Sequence, residues 1–306
     1  MPLRPRQIEP VYDVRVQHVT IASAALGLEK SFYVYLPPDL APGARVPTLY
    51  LLRGHEREWV NPAEDATRGG LNAIDVYERL RASGAIGPLV LVFPGLASAD
   101  NTVPSVLTNM CAAERAAHVA GIGTGRFADY FYNDLIPHVA AQYPTNERRG
   151  LIGFSLGGAM AIKAAAERPD LFVTASAYDG TFLYARDAGR GVRTDDAVIF
   201  NPMFDAAFGV PRDSAYLAAN SPANLILRAD RDALARVTWM IGFGPRSAEP
   251  WHSNYYRGMH LLRCLHARNI ANAIDPAALA QRDHTWRTAD AFLALTLPIH
   301  SQRLEA

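Results

Sequence analysis

Arg149-Gly150-Leu151-Ile152-Gly153-Phe154-Ser155-Leu156-Gly157-Gly158-Ala159 decides how the rest of the chain is read. A short apolar run reaches Phe154. Gly-x-Ser-x-Gly then spans Gly153 to Gly157. Ala159-Met160-Ala161-Ile162-Lys163-Ala164-Ala165-Ala166 follows with helical composition, and Pro169 closes it. Strand, sharp turn and helix form the context in which this motif raises a serine hydroxyl above a sheet. The turn strains the serine backbone, and small flanking residues keep side chains from colliding. The helix start behind the serine offers free N–H groups and a partial positive charge, which suit an anion.

Outward from that stretch, strands alternate with helices. Val11 to Ile21 and Lys30 to Leu36 alternate apolar and polar residues and read as an antiparallel edge pair. Pro47 to Leu52 and Pro88 to Pro94 are nearly continuous apolar runs, as strands covered on both faces require. Leu171 to Tyr178 and Arg236 to Gly244 read as further strands, with a weak one around Asn269 to Ile274. Helical patterns lie at Leu71–Ala82, Ala128–Gln142, within Asn220–Ala235, at Asn254–Ala267 and at about Trp286–Leu295. The expected fold class is α/β: one domain over residues 1–306, with a mostly parallel sheet, helices on both faces and an antiparallel N-terminal edge. Leu96 to Thr124 reads as a flexible loop near the site. Its Gly121-Ile122-Gly123-Thr124-Gly125 cluster fails as a dinucleotide fingerprint, because position 126 is Arg126 and no strand precedes it. Residues 96–124 and 181–219 are the candidate substrate-covering insertions.

Composition narrows the classes of function. The 306 residues are 49% hydrophobic, and Lys+Arg and Asp+Glu each number 30, so no net charge recruits nucleic acid or an anionic membrane. Cys111 and Cys264 show neither metal-ligand spacing nor a Cys-x-x-Cys pair, which fits a reduced compartment. Met1 to Arg6 lacks the apolar core of a signal peptide, and no run reaches membrane-span length. The expectation is a soluble, cytoplasmic protein acting on a small molecule. No metal, cofactor, nucleic acid or membrane partner is expected, and homo-oligomerisation is left open.

A serine hydroxyl is a poor nucleophile at neutral pH; it needs a base, and the base needs an orienting acid. In sheets of this kind these arrive in the order Ser, Asp/Glu, His. Of the histidines after Ser155, His260 and His266 fall within a helical pattern and His300 lies in the tail. His284 sits in a loop before the last helix and is the preferred base, ahead of His252. For the acid, the loop after the Arg236–Gly244 run contains Glu249, which ranks ahead of Asp179 at the end of the preceding strand. Asp283 is discounted because adjacent side chains diverge. Oxyanion donors are expected from the Leu156 N–H at the helix start and from Gly54 or His55 after the Pro47–Leu52 strand.

Leu51-Leu52-Arg53-Gly54-His55 with Trp59 resembles the oxyanion strand and loop of the putative-esterase family of α/β-hydrolases. So do Tyr143-Pro144 leading to Gly153–Gly158, Pro169-Asp170-Leu171-Phe172 and His284-Thr285-Trp286. The similarity runs over roughly residues 30 to 295. That family includes esterase D-like S-formylglutathione hydrolases, ferric-siderophore esterases, feruloyl and acetylxylan esterases, and mycolyltransferases. The resemblance implies an α/β-hydrolase fold and cleavage of a carboxylic ester or thioester, with Ser155 as nucleophile, His284 as base and Glu249 in the acid loop. The alternatives are acyl transfer by the same triad and a non-catalytic binding protein on the same fold. Arg53 departs from the His or Asp common before the oxyanion glycine, and Asp179 from a small polar residue.

Overall fold

A computed structural model describes residues 13–183, 200–249 and 252–306. The first two residues of the expected N-terminal strand, and residues 184–199 of the 181–219 insertion, lie outside the described residues. Among those described, seven strands form one sheet: β1 (Gln17–Ser23), β2 (Leu28–Tyr35), β3 (Val46–Leu52), β4 (Val90–Pro94), β5 (Thr145–Phe154), β6 (Thr174–Tyr178) and β7 (Thr238–Gly242). Their order is β1-β2-β4-β3-β5-β6-β7. β1 and β2 pair antiparallel, as do β2 and β4; the other pairs are parallel. The expected antiparallel edge on a mostly parallel sheet is therefore present.

The main helices are α1 (Ala73–Ala82), α2 (Ile136–Gln142), α3 (Leu156–Glu167), α4 (Tyr255–Ala267) and α5 (Trp286–Glu305). They cover both faces, which explains the nearly continuous apolar runs of the central strands. Successive strand residues point to opposite sides. Leu49, Leu51 and Ile152 pack with Ile74 and Tyr77 of α1 and Phe292 and Leu293 of α5. Tyr50, Leu52 and Leu151 pack with Ile136, Met160 and Leu261 on the other face. α1 starts where it does because Asn72 accepts from the Ile74 and Asp75 amides while Asp75 reaches back to the Asn72 N–H, a reciprocal cap.

Three elements differ from expectation. The helix expected over Ala128–Gln142 is a short α-turn (Phe127–Asp129), a π-turn (Tyr130–Leu135) and then α2. Asn269–Ile274 forms no strand. A single backbone bridge, Ala273 N–H to Trp239 O at 2.7 Å, meets β7, and the Asn272 side chain replaces the rest of a ladder: its Oδ1 accepts from Ile241 N at 2.7 Å and its Nδ2 donates to the Ile241 and Ile274 carbonyls. The last helix does not stop near Leu295 but runs through Pro298 to Glu305. An interior proline costs about 3 kcal/mol. Leu297 and Leu304 are fully buried, at about 1.5–3 kcal/mol each, which outweighs it. His300 is accordingly not a tail residue. It is wholly buried, with Nδ1 2.6 Å from Thr174 Oγ1 and Nε2 2.8 Å from Ser176 Oγ.

Strand order places the site. From β3 the chain goes to β4 on one side; from β5 it goes to β6 on the other. The crevice at such a reversal, beyond the carboxyl ends of the strands, is where open α/β sheets hold ligands. Here it lies between Arg53-Gly54-His55 after β3 and Ser155 after β5. The 96–124 segment, expected to be a flexible loop, has buried Leu96, Leu107 and Ile122. Lys30 ties it down by donating to Ala97 O and Gly121 O. Its Leu96 N–H donates to Gly54 O at 2.7 Å.

Candidate active site

Ser155 links β5 directly to α3 with φ 55° and ψ −119°, a conformation that non-glycine residues rarely adopt. The turn is possible because its neighbours are glycine. A Cβ on Gly153 would lie 2.0 Å from Gly157 O, and one on Gly157 would lie 1.8 Å from Leu52 O. The Ser155 N–H donates to Tyr178 O at 3.1 Å, and its carbonyl accepts from Thr181 N at 3.0 Å, so both sides of the strained residue are held.

His284 comes from the segment that enters α5. Its Nε2 is 3.0 Å from Ser155 Oγ and its Nδ1 is 2.5 Å from Asp179 Oδ2. The ring packs on Phe154 at 4.8 Å between centroids, and Tyr178 Oη donates to the neighbouring Asp283 O at 2.9 Å. Asp179 is fully buried, with φ 44°. Its Oδ1 accepts from the Gly244 and Asn254 amides at 2.9 and 2.8 Å, and Asn254 Nδ2 donates to its carbonyl at 2.9 Å. Two backbone donors and the imidazole thus fix the carboxylate in orientation, and the Asn254 side chain holds the backbone behind it. This is a geometry in which an imidazole can accept a proton from a hydroxyl at Nε2 while a carboxylate holds its Nδ1–H.

The carboxylate beside His284 is therefore Asp179, where the sequence ranked Glu249 first. Glu249 Oε1 accepts from the Tyr256 N–H at 2.8 Å, at the start of α4. The reason is sheet order. Tyr178 pairs with Phe154 across β5 and β6, so Ser155 and Asp179 leave adjacent strand ends side by side. The loop carrying Glu249 leaves β7, one strand farther away.

The expected oxyanion donors divide. Leu156 is the first residue of α3, where an amide has no acceptor within its own helix. The His55 N–H, in contrast, donates to Glu58 Oε2 at 2.6 Å, and Glu58 Oε1 lies 3.3 Å from Arg53 Nε. Gly54 sits where a Cβ would meet Asn101 Oδ1 at 2.5 Å and Glu58 Oε2 at 3.3 Å. Burial, then the charges of Arg57 and Lys30, push the His55 imidazole down to about 4, so that ring is neutral near pH 7. Glu58, Asn254 and Thr181, whose Oγ1 is 3.5 Å from Ser155 Oγ, were not singled out by sequence reasoning. Glu58 had a signal: it stands three residues after His55, the spacing at which a glutamate reaches back to an amide. Asn254 stood at the very start of a helical pattern, where capping residues occur, although its side chain turns to Asp179 instead of capping. Nothing local marked Thr181.

Among the described residues, no three or more His, Cys, Asp or Glu side chains gather in a metal-binding group. No described helix is long and apolar enough to cross a membrane.

The family model described as Putative esterase matches residues 23–301. No curated protein matches the chain in sequence. Among solved structures, a ferulic acid esterase is similar with TM-score 0.68 and 19% identity, over 95% of this chain and 99% of that one. An S-formylglutathione hydrolase from Agrobacterium tumefaciens gives TM-score 0.65 and 17% identity, over 94% and 95%. FphF, a fluorophosphonate-binding serine hydrolase of Staphylococcus aureus, gives 0.61 and 15%, over 94% and 98%. At these identities the structures speak to the fold.

Proposed function

The chain belongs to the putative esterase family, and on that premise we propose that it hydrolyses a small carboxylic ester or thioester with Ser155, His284 and Asp179 as its catalytic triad. The supporting observation is the continuous line Ser155 Oγ–His284 Nε2 (3.0 Å) and His284 Nδ1–Asp179 Oδ2 (2.5 Å). Ser155 Oγ attacks the acyl carbon as its proton passes to His284 Nε2. The imidazolium then protonates the leaving alkoxide or thiolate, and the acyl group stays on Ser155. His284 next takes a proton from water, which attacks the acyl-enzyme; as the acid leaves, the imidazolium returns that proton to Ser155 Oγ. Asp179 keeps the Nδ1–H tautomer and stabilises the imidazolium.

The negative charge that develops on the carbonyl oxygen faces the Leu156 N–H. The second donor comes from the Gly54–His55 turn, and the His55 amide serves only after Glu58 releases it. Each such donor contributes roughly 10²–10³-fold to turnover.

Labelling by a fluorophosphonate probe tests the nucleophile. The wild type should label, and folded Ser155→Ala should not. A folded wild type that fails to label would overturn the proposal. Turnover of p-nitrophenyl esters of increasing chain length then measures the acyl pocket.

A further inference from the structure

Arg68 lies outside the Ser155–His284–Asp179 line, yet its side chain is wholly buried. A guanidinium carries five N–H donors in one plane, and Arg68 uses all five. Nε and Nη2 donate to the two carboxylate oxygens of Asp290 at 2.8 and 2.9 Å. Nη1 donates to Glu58 O at 2.7 Å and Asn61 O at 2.9 Å, and Nη2 also donates to Trp59 O at 2.7 Å. Three carbonyl oxygens of one turn therefore converge on one cation. That turn begins at the Gly54–His55 amides. Asp290 stands one helical turn into α5, the helix that follows His284.

The aromatic contacts close the circuit. The guanidinium lies 4.6 Å from the Trp286 ring centroid. Trp286 meets Phe154 at 5.2 Å, and Phe154 meets His284 at 4.8 Å. We propose that Arg68 is a positioning residue of the catalytic site: it ties the oxyanion turn to α5 and so sets the Gly54–His55 amides relative to Ser155 and His284. This inference rests on the catalytic role given to those residues above. Lysine cannot substitute, because a point charge on a flexible stem offers no fork for Asp290 and no fixed donors for three carbonyls.

The test uses Arg68→Lys and Asp290→Asn. Fluorophosphonate first titrates the Ser155 sites of each protein. Turnover of p-nitrophenyl acetate per titrated site is then measured, with KM and the pH profile of kcat/KM. A displacement of about 1 Å at the reacting centre lowers turnover by about 100-fold. We expect kcat per titrated site to fall by roughly 30- to 100-fold in Arg68→Lys and by a smaller factor in Asp290→Asn. KM should change less than about threefold, and the pH profile should keep its midpoints because the His284–Asp179 pair is untouched. A purely structural role would reduce the number of titratable sites and leave kcat per site intact. That result, or a shifted pH profile, would refute the positioning role. If the wild type itself does not label at Ser155, the catalytic assignment falls first and this inference with it.

Discussion

Replacing Asp179 with asparagine separates the two carboxylates that chain order alone left competing. Asp179 Oδ1 accepts two backbone N–H groups, from Gly244 and Asn254. An asparagine must place its carbonyl oxygen there, since an amide NH₂ would confront both donors. Its NH₂ then faces His284 Nδ1, which approaches the native Oδ2 at 2.5 Å. Two N–H groups cannot face each other at that distance. The ring must present a lone pair at Nδ1 and carry its proton on Nε2, 3.0 Å from Ser155 Oγ. In that tautomer Nε2 cannot accept the serine proton. The expected loss in kcat is about 10³–10⁴-fold, or roughly 4–5.5 kcal/mol of transition-state stabilisation. The backbone bonds survive, so the variant should unfold close to the wild-type temperature. Glu249→Gln is the matched control. Its amide oxygen can still accept the Tyr256 N–H, and activity should stay within about threefold, under about 0.7 kcal/mol of barrier, because its loop leaves β7 rather than the strand beside Ser155. The assay is steady-state hydrolysis of p-nitrophenyl acetate, normalised to folded protein by circular dichroism. Asp179→Asn retaining more than about a tenth of wild-type kcat, or Glu249→Gln losing activity instead, would refute the reasoning.

Asn254→Ala removes the side-chain donor to Asp179 O and should lower kcat by about tenfold with little change in KM, the value of one buried hydrogen bond; an unchanged kcat would mean that the backbone donors suffice. Gly157→Ala drives a Cβ to 1.8 Å from Leu52 O. It should destabilise the fold by roughly 3 kcal/mol or more in urea denaturation, among the larger effects of a single substitution. His300 carries a pH signature. Burial pushes its imidazole from an ordinary 6.5 down to about 3, so between those values the unfolded chain binds a proton that the folded chain refuses. Stability therefore falls as pH drops through 6.5 toward 3. His300→Gln should be less stable at neutral pH but should show a shallower decline on acidification. Urea midpoints at neutral and mildly acidic pH would reveal an equal decline if the inference were wrong.

Much of the architecture was legible because it is written in short-range pattern. The runs at β3 and β4 are nearly continuously apolar because α1 and α5 cover one face and α3 the other. The Gly153–Gly157 motif names its own turn, since any side chain at those two glycines would strike backbone. The misses have equally specific causes. Pro298 resembles a helix stop, but burial of Leu297 and Leu304 overrides it. Asn269–Ile274 has strand composition, but Asn272 bonds β7 through its side chain.

By itself the sequence determined the serine turn, the histidine that meets it and the class of sheet, because each rests on neighbours along the chain and on the order Ser–acid–His. That order is satisfied equally by Asp179 and Glu249, so it could not choose between them. The tertiary structure decided which carboxylate stands beside His284, because β6 lies directly beside β5 and carries Asp179 to the strand end next to Ser155. It also decided that the His55 amide is held by Glu58 and that the turn bearing it is fastened by Arg68 to a helix more than two hundred residues away. Such contacts join segments distant in sequence, and only the packed sheet brings them within hydrogen-bond reach.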